Sequence, residues 1–211
     1  RITNANDIIL SLESKYRKVG ALKDDNDLLS MKIAQAYFAD DEVVSNSPNI
    51  NYESRKSYSD VAASIDMAVD DFIFNSDVQF NPDKSRIVKK RNTISYSPSS
   101  RQFISLSFID DGTKETERFY GAYPITDSFH IFGGLDKTTS TGFTNSETTG
   151  IAYESCCWAF RLAHFKSDNL DGGSNYNTSM EVVLTGLGST SSPLKNKIEK
   201  KIPGYSAKFR N

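Results

Sequence analysis

Few residues in this chain are suited to chemistry. It has two histidines, His130 and His164, and two cysteines, Cys156 and Cys157, which are neighbours. A thiol nucleophile needs an imidazole within hydrogen-bond reach. Cys157 and His164 would lie about two turns apart on a helix, roughly 10 Å of rise, so no such pair is expected. Zinc demands more Cys and His ligands than the chain supplies. A bridge between adjacent cysteines closes a small ring against the usual limits on disulfide geometry. Cys156 and Cys157 therefore stand as a candidate vicinal disulfide, with two buried thiols as the alternative.

The acidic groups are read in the same way. Asp66, Asp70 and Asp71 pair carboxylates in the manner of general acid–base catalysts, but in a Ser- and Ala-rich stretch they describe a solvated face. Asp168 to Asn175, DNLDGGSN, is oxygen-rich and glycine-bent like a calcium loop, without the ordered ligand spacing or closing glutamate of an EF-hand. Asp24, Asp25 and Asp27 are discounted likewise. Gly133-Gly134 and Gly172-Gly173 lack the basic partner of a phosphate loop. No catalytic, cofactor-binding or metal-ligating residue is expected, and no cofactor.

The elements that would position any site are read from hydrophobic spacing. In Asn4–Val19, residues Ala5, Ile8, Ile9, Leu12, Tyr16 and Val19 recur at three and four, which predicts an amphipathic helix, capped by Asn4 or Asn6 and followed by Gly20. Leu28, Leu29, Met31, Ile33, Ala34 and Phe38 predict a second, shorter helix. Tyr58, Val61, Ala62, Ile65, Ala68, Val69 and Phe72 predict a third, after a loop over 45–56.

The period then changes. Arg86–Val88 and Thr93–Tyr96 are short strand-like runs. Gln102–Ile109 alternates Ile104, Leu106 and Phe108 with Ser105 and Ser107, Asp110-Asp111-Gly112-Thr113 is a hairpin turn, and Glu115–Ala122 returns. Ser128–Phe132, Met180–Leu187 and Tyr205–Phe209 are further strands. Residues 137–150 read as loop or an exposed edge strand, and 166–179 as a polar loop. Glu154–Phe165, dense in apolar residues, reads as a buried helix or a central strand, with its length and lack of β-branched residues favouring the helix.

Composition bounds the classes. The 211 residues carry 25 basic and 27 acidic side chains, and hydrophobic residues are 37%. There is no global positive field to hold nucleic acid. No apolar run reaches the roughly 18 residues a spanning helix needs. The two basic groups, Arg86, Lys89, Lys90 and Arg91, and Lys195, Lys197, Lys200 and Lys201, suit solubility and protection of strand edges. The chain opens on Arg1 rather than Met, so a processed or trimmed N-terminus is expected, with an anchoring segment before it.

NDIILSLESKYRKVGAL resembles the exposed half of the long helix of type IV pilins, most like the type IVb group or a minor pilin. MKIAQAYFADDEVVSNS resembles the short helix and acidic segment after it. FHIFGGLDKTTSTGFTNSETTGIAYESCCWAFRLA resembles the block of glycine pair, two strands and a Cys-opened helix.

The resemblance implies an α+β fold, an N-terminal α-helix packed across an antiparallel β-sheet with short helices in the connections. It implies one pilin-like domain over 1–211, with 51–92 as a helical insertion, and an assembly helix face of Ala5, Ile8, Ile9, Leu12 and Tyr16. Its functional implication is a structural subunit of a surface filament that mediates adhesion or assembly. The partners would be other pilin subunits and a host or surface receptor, not nucleic acid. Membrane contact would come only through the missing N-terminal segment. The place would be an extracellular pilus, reached from the inner membrane. Two alternatives remain: a secreted or surface-displayed adhesin-type binding module, and a hydrolase.

Overall fold

The computed structural model describes residues 7–17, 28–42, 56–99, 101–184 and 192–205. Within them lie twelve strands and one helix: β1 (Asp7–Tyr16), β2 (Leu29–Glu42), β3 (Lys56–Tyr58), β4 (Val61–Val69), β5 (Phe72–Asn81), β6 (Arg86–Ser99), β7 (Gln102–Asp110), β8 (Glu115–Pro124), β9 (Phe129–Thr138), β10 (Phe143–Glu154), β11 (Trp158–Asp168), β12 (Ser174–Leu184) and α1 (Pro193–Lys201). The strand order is β1-β2-β4-β5-β6-β7-β8-β9-β10-β11-β12, with β3 beside β2. Apart from β3, each strand pairs with its neighbours in sequence.

This overturns the α+β expectation. The predicted N-terminal helix is β1, the second helix is β2, the third becomes β4 and the start of β5, and Glu154–Phe165 is the end of β10 and most of β11. The supposed helical insertion over 51–92 contains β3, β4, β5 and the start of β6, and 137–150, read as loop or edge strand, contains the end of β9 and most of β10. Ala5, the predicted loop at 45–55 and the predicted strand beyond Tyr205 lie outside the described residues. The physical reason is that a spacing of four fits both periods, 3.6 and 2. Ile8, Leu12 and Tyr16 share a helical stripe, but they equally share one face of a strand. Leu10, two residues from Ile8, fits only the strand.

The chain divides into two compact units, residues 1–68 with 74–91, and residues 69–73 with 92–211. In the first, the register Ile8↔Tyr37, Leu10↔Gln35, Leu12↔Ile33 and Tyr16↔Leu29 continues into Met31↔Ile65 and Ile33↔Ala63. Directly paired residues point to one side, so this face is almost wholly apolar. The other carries Asp7, Glu13, Lys15, Lys32, Ser64 and Asp66, along with Ile9. Asp66 accepts from Asn75 at 2.7 Å, and Asp60 accepts from Gln79 at 2.9 Å and Asn81 at 2.7 Å.

The second unit repeats the division. Ile104, Leu106 and Phe108 of β7 share a face with Phe119 and Tyr123 of β8, Ile131 and Leu135 of β9, Ile151 and Tyr153 of β10, Phe160 and Leu162 of β11, and Met180 and Val182 of β12. The opposite face carries Ser105, Ser107, Arg118, Asp136, Thr148 and Arg161. The helix α1 lies on that face. Leu194, Ile198 and Ile202, one per turn, are buried against Phe103, Ala122, Phe132, Ala152, Ala163 and Phe165.

Gly150 makes this packing feasible, because a Cβ there would stand 2.4 Å from the Phe132 ring and 2.5 Å from the Leu162 carbonyl. Gly150→Ala is expected to lose about 1–3 kcal/mol through overpacking, seen as a lower urea midpoint. The hairpin between β7 and β8 was legible, and Asp111 Oδ1 accepts from Thr113 Oγ1 at 2.6 Å, Lys114 N at 2.9 Å and Thr113 N at 3.0 Å. These bonds, the Thr113 hydroxyl first, hold the carboxyl at about 2 against an ordinary 3.8. A depressed carboxylate stabilises the fold above its ordinary value and loses that effect as pH falls through its folded one. The Thr113 and Lys114 amide signals are therefore expected to keep their positions until pH approaches about 2, and a midpoint near the ordinary value would contradict the turn geometry.

Candidate functional site: an apolar wall backed by a helix-covered polar face

Among the described residues, Arg161 is the largest fully buried side chain. Strand β11 directs its guanidinium towards the helix-covered face. Its Nη2 donates to Glu154 Oε1 at 2.8 Å, and its Nη1 to Glu181 Oε2 at 3.0 Å and Ser192 Oγ at 2.9 Å. Glu181 also accepts from Ser192 Oγ at 2.6 Å and from Leu194 N at 3.1 Å. A carboxylate from β12 thus serves the first turn of α1, where helix amides lack internal partners and negative charge is favoured. Pro193 at the helix start needs no such partner.

The other end of the helix is held by aromatic packing. Tyr205 Oη lies 2.7 Å from His130 Nε2, and its ring sits 5.0 Å from that of Phe132. Burial, with the nearby Glu154 charge, pushes the Tyr205 phenol well above its ordinary value. Lys197 stands 4.0 Å over the Phe165 ring. Further along the same face, Arg118 pairs with Asp136 at 2.8 Å, and Asn145 donates to Asp136 at 2.7 Å.

The outward face is mostly apolar, with His164 Nδ1 2.8 Å from Thr178 Oγ1 and Lys166 3.9 Å from Glu147 as polar exceptions. Ile104, Leu106, Phe108, Phe119, Tyr123, Ile131, Met180, Val182 and Leu184 are all exposed. Aromatic residues gather towards one end of the strands, where Phe129 pairs with Tyr153 and the Tyr153 and Trp158 rings lie 4.8 Å apart. Towards the other end stand Glu117, Lys137, Glu147 and Lys166. Strands β7 to β12 are 9 to 12 residues long, which is what a tilted strand needs to cross a bilayer.

The residues singled out from sequence fall in several places. Cys156 and Cys157 occupy the turn between β10 and β11, both exposed, with their sulfurs 2.8 Å apart as thiols. They are not the buried thiols of the alternative reading, and the hydrogen bond with Cys156 pushes the Cys157 thiol up. Ile8, Ile9, Leu12 and Tyr16 do not form one face, since Ile9 points away from the other three. Asp66 lies in β4, and Asp70 and Asp71 in the turn after it. In the supposed calcium loop, Asp168 is occupied by Thr144 N and Ser174 Oγ, each at 2.7 Å. His130 and His164 lie on opposite faces of the sheet. Sequence reasoning missed Arg161, Glu154, Glu181 and α1, although Leu194, Ile198 and Ile202 stood at helical spacing within the basic run.

An exposed apolar face on one side and a polar, hydrogen-bonded face on the other is the pattern of a sheet that meets hydrocarbon. The profile of the family described as "LptD: LPS transport system D" matches residues 1–126 of the 211. The chain belongs to the LptD family.

The LPS-assembly protein LptD of Shewanella frigidimarina is 25% identical over 212 residues, covering 89% of this chain and 27% of the relative. Those of Nitrosococcus oceani and Burkholderia lata are each 23% identical, covering 99% and 98% of this chain and 28% of each relative. The chain thus spans about a quarter of the length of these LptD proteins.

LptD membership replaces the pilin resemblance. The described residues of the quoted segments lie in strands of one sheet and the turns between them, and a stretch of β1 cannot be the lower half of an assembly helix. Pilin subunits as partners, adhesion as the role and a pilus as the location fall with it. LptD is a transport family, and the chain is not an enzyme.

Within this LptD chain, Arg161→Met leaves the half-buried Glu154 and Glu181 without their cation. It is expected to cost about 3–5 kcal/mol and, by loosening α1, to speed tryptic cleavage after Lys195, Lys197, Lys200 and Lys201. Unchanged cleavage of α1 would show that the helix is held by its apolar face alone.

Proposed function

We propose that this chain forms part of the wall of an outer-membrane β-barrel that takes part in LPS transport and assembly. The single observation that carries the reading is the division of the strands into a mostly apolar face and a polar, hydrogen-bonded one, in a chain whose family is LptD. In hydrocarbon every backbone polar group needs an internal partner, which an antiparallel ladder supplies. The lipid-facing side is then apolar and the enclosed side polar. The residues Ser105, Ser107, Arg118 and Asp136, together with α1, line the enclosed side. No described helix is long and apolar enough to cross a membrane, and the strands do the crossing.

LPS is the substrate named for the relatives, and for this chain it is part of the proposal. A polar interior suits the sugar portion of such a molecule, and the apolar exterior suits the surrounding lipid. The aromatic residues Tyr123, Tyr153 and Trp158 suit a membrane–water interface, where an amphipathic ring has one end dry and the other wet.

The test uses the chain's one tryptophan. Trp158 fluorescence is expected to be quenched by lipids brominated near the headgroup and less by lipids brominated at the chain end. No quenching by either would contradict a membrane wall. Ile131→Arg, on the outward face, is expected to lower folding stability in bilayers by about 2–4 kcal/mol. Ser146→Lys, on the other face beside Asp136, should cost much less. Equal costs would mean that neither face meets lipid.

A further inference from the structure

Gly121 and Gly133 are register partners on β8 and β9, in line with Ile104 on the outward face of β7. Gly121 is placed by packing, since a Cβ there would stand 3.2 Å from the Phe103 carbonyl. Gly133 is not. Within 4 Å, a Cβ on it would meet only the Thr148 carbonyl, at an ordinary 3.7 Å, and its φ is not left-handed. Gly134, on the other face, has the reason that Gly133 lacks, with the Tyr120 ring 2.9 Å from where a Cβ would stand. Glycine weakens a strand interior, and one without a local cause marks a place that something approaches closely.

The missing side chains leave a groove. Phe119 and Tyr123, four residues apart on β8, stand about 13 Å from each other along the strand, with bare backbone at Gly121 between them. Ile104 and Ile131 complete the sides, and the groove holds about 400 Å³. Its polar lining is Tyr96 on the β6 side, with Gln102 and Tyr123 towards the aromatic end. Among the described residues, no hydrogen bond holds the Tyr96 or Tyr123 hydroxyl or the Gln102 amide. No charged residue lines the groove.

We propose that this groove seats one acyl chain of a zwitterionic glycerophospholipid. It opens on the face that the reading above turns to the bilayer, so hydrocarbon is what reaches it. The chain lies over Gly121 and Gly133, between Phe119 and Ile131. The Gln102 amide and the Tyr123 hydroxyl meet the ester and phosphate oxygens at its polar end. Hydroxyl and amide groups without a cation match a headgroup of no net charge, whereas an anionic headgroup would leave its charge unanswered. Loose lipid contact needs no such recess, since a side chain on Gly133 would serve it as well and would strengthen the strand. The proposal rests on the outer-membrane reading and adds to it one seated lipid.

The protein that carries this chain is purified in a mild detergent and mixed with phosphatidylethanolamine, phosphatidylglycerol or LPS, and retained lipid is read by native mass spectrometry. Phosphatidylethanolamine is expected to stay bound more firmly than phosphatidylglycerol. Gly133→Val, which fills the floor, should cut that retention roughly tenfold, because about two methylenes of the chain lose their place. LPS retention should not move, and the urea midpoint should stay or rise. Gln102→Leu with Tyr123→Phe leaves the groove open and should weaken phosphatidylethanolamine retention several-fold through lost hydrogen bonds. Retention untouched by either variant, a preference for phosphatidylglycerol, or a midpoint lowered by Gly133→Val overturns the seated lipid, and quenching of Trp158 by brominated lipid then leaves the membrane reading intact. Absent Trp158 quenching overturns both.

Discussion

Backbone amides and carbonyls removed from water must be bonded, and in this chain they are bonded between strands rather than within helices. That constraint governs the rest. Antiparallel pairing of sequence neighbours satisfies the backbone from β4 through β12 without long crossovers. Once the ladder is set, the pleat decides where each side chain goes. Ile104, Leu106 and Phe108 must share a side because they are two residues apart, and pairing with Gly121, Phe119 and Glu117 carries that side to the next strand. A register slip of one residue in β8 would place Arg118 among the exposed apolar groups and Phe119 under the helix-covered face.

The helix-covered face solves a second problem. It holds charges away from solvent, and each must find partners. Arg161 does so with carboxylates from β10 and β12 and the hydroxyl of Ser192, so one guanidinium ties three strands' worth of chain to the start of α1. The apolar stripe of Leu194, Ile198 and Ile202 then covers Phe132 and Ala163. Neither contact would place the helix alone. The apolar stripe sets which side of α1 faces the sheet, and the Glu181 bonds to Ser192 and Leu194 set its position along the sheet.

Much of the second unit was legible in the sequence. The alternation of Gln102–Ile109, the Asp-Asp-Gly turn and the return at Glu115–Ala122 stand as expected, because serine against Ile, Leu and Phe leaves no other period. The first unit was misread because both faces of β1 carry apolar groups. Ile9 beside Ile8 imitates a helical pair, and only Leu10 argues against it. Glu154–Phe165 misled for a related reason. Small Ala159 and Ala163 on the helix-covered side and Trp158, Phe160 and Leu162 on the other make an apolar run broken only by Arg161, and without β-branched residues such a run reads as helix. Arg161 was invisible as a site, since its partners Glu154, Glu181 and Ser192 are brought to it only by the pairing of β10, β11 and β12. The basic run hid α1 because Lys195, Lys197, Lys200 and Lys201 drew attention from the apolar residues between them.

The pairing order has a consequence for how such a wall is made. Since each strand beyond β4 binds the one just synthesised before it, the polypeptide closes only short loops as it grows, and the entropy lost at each step is small. The sheet can lengthen as a zipper, one hairpin at a time, with its growing edge always a single strand. The helix α1 breaks that pattern, for it follows β12 in sequence yet binds groups from β10, β11 and β12 together. It can dock only after those strands are paired, which makes its docking the closing event of this stretch and a natural checkpoint on the register of the strands beneath it.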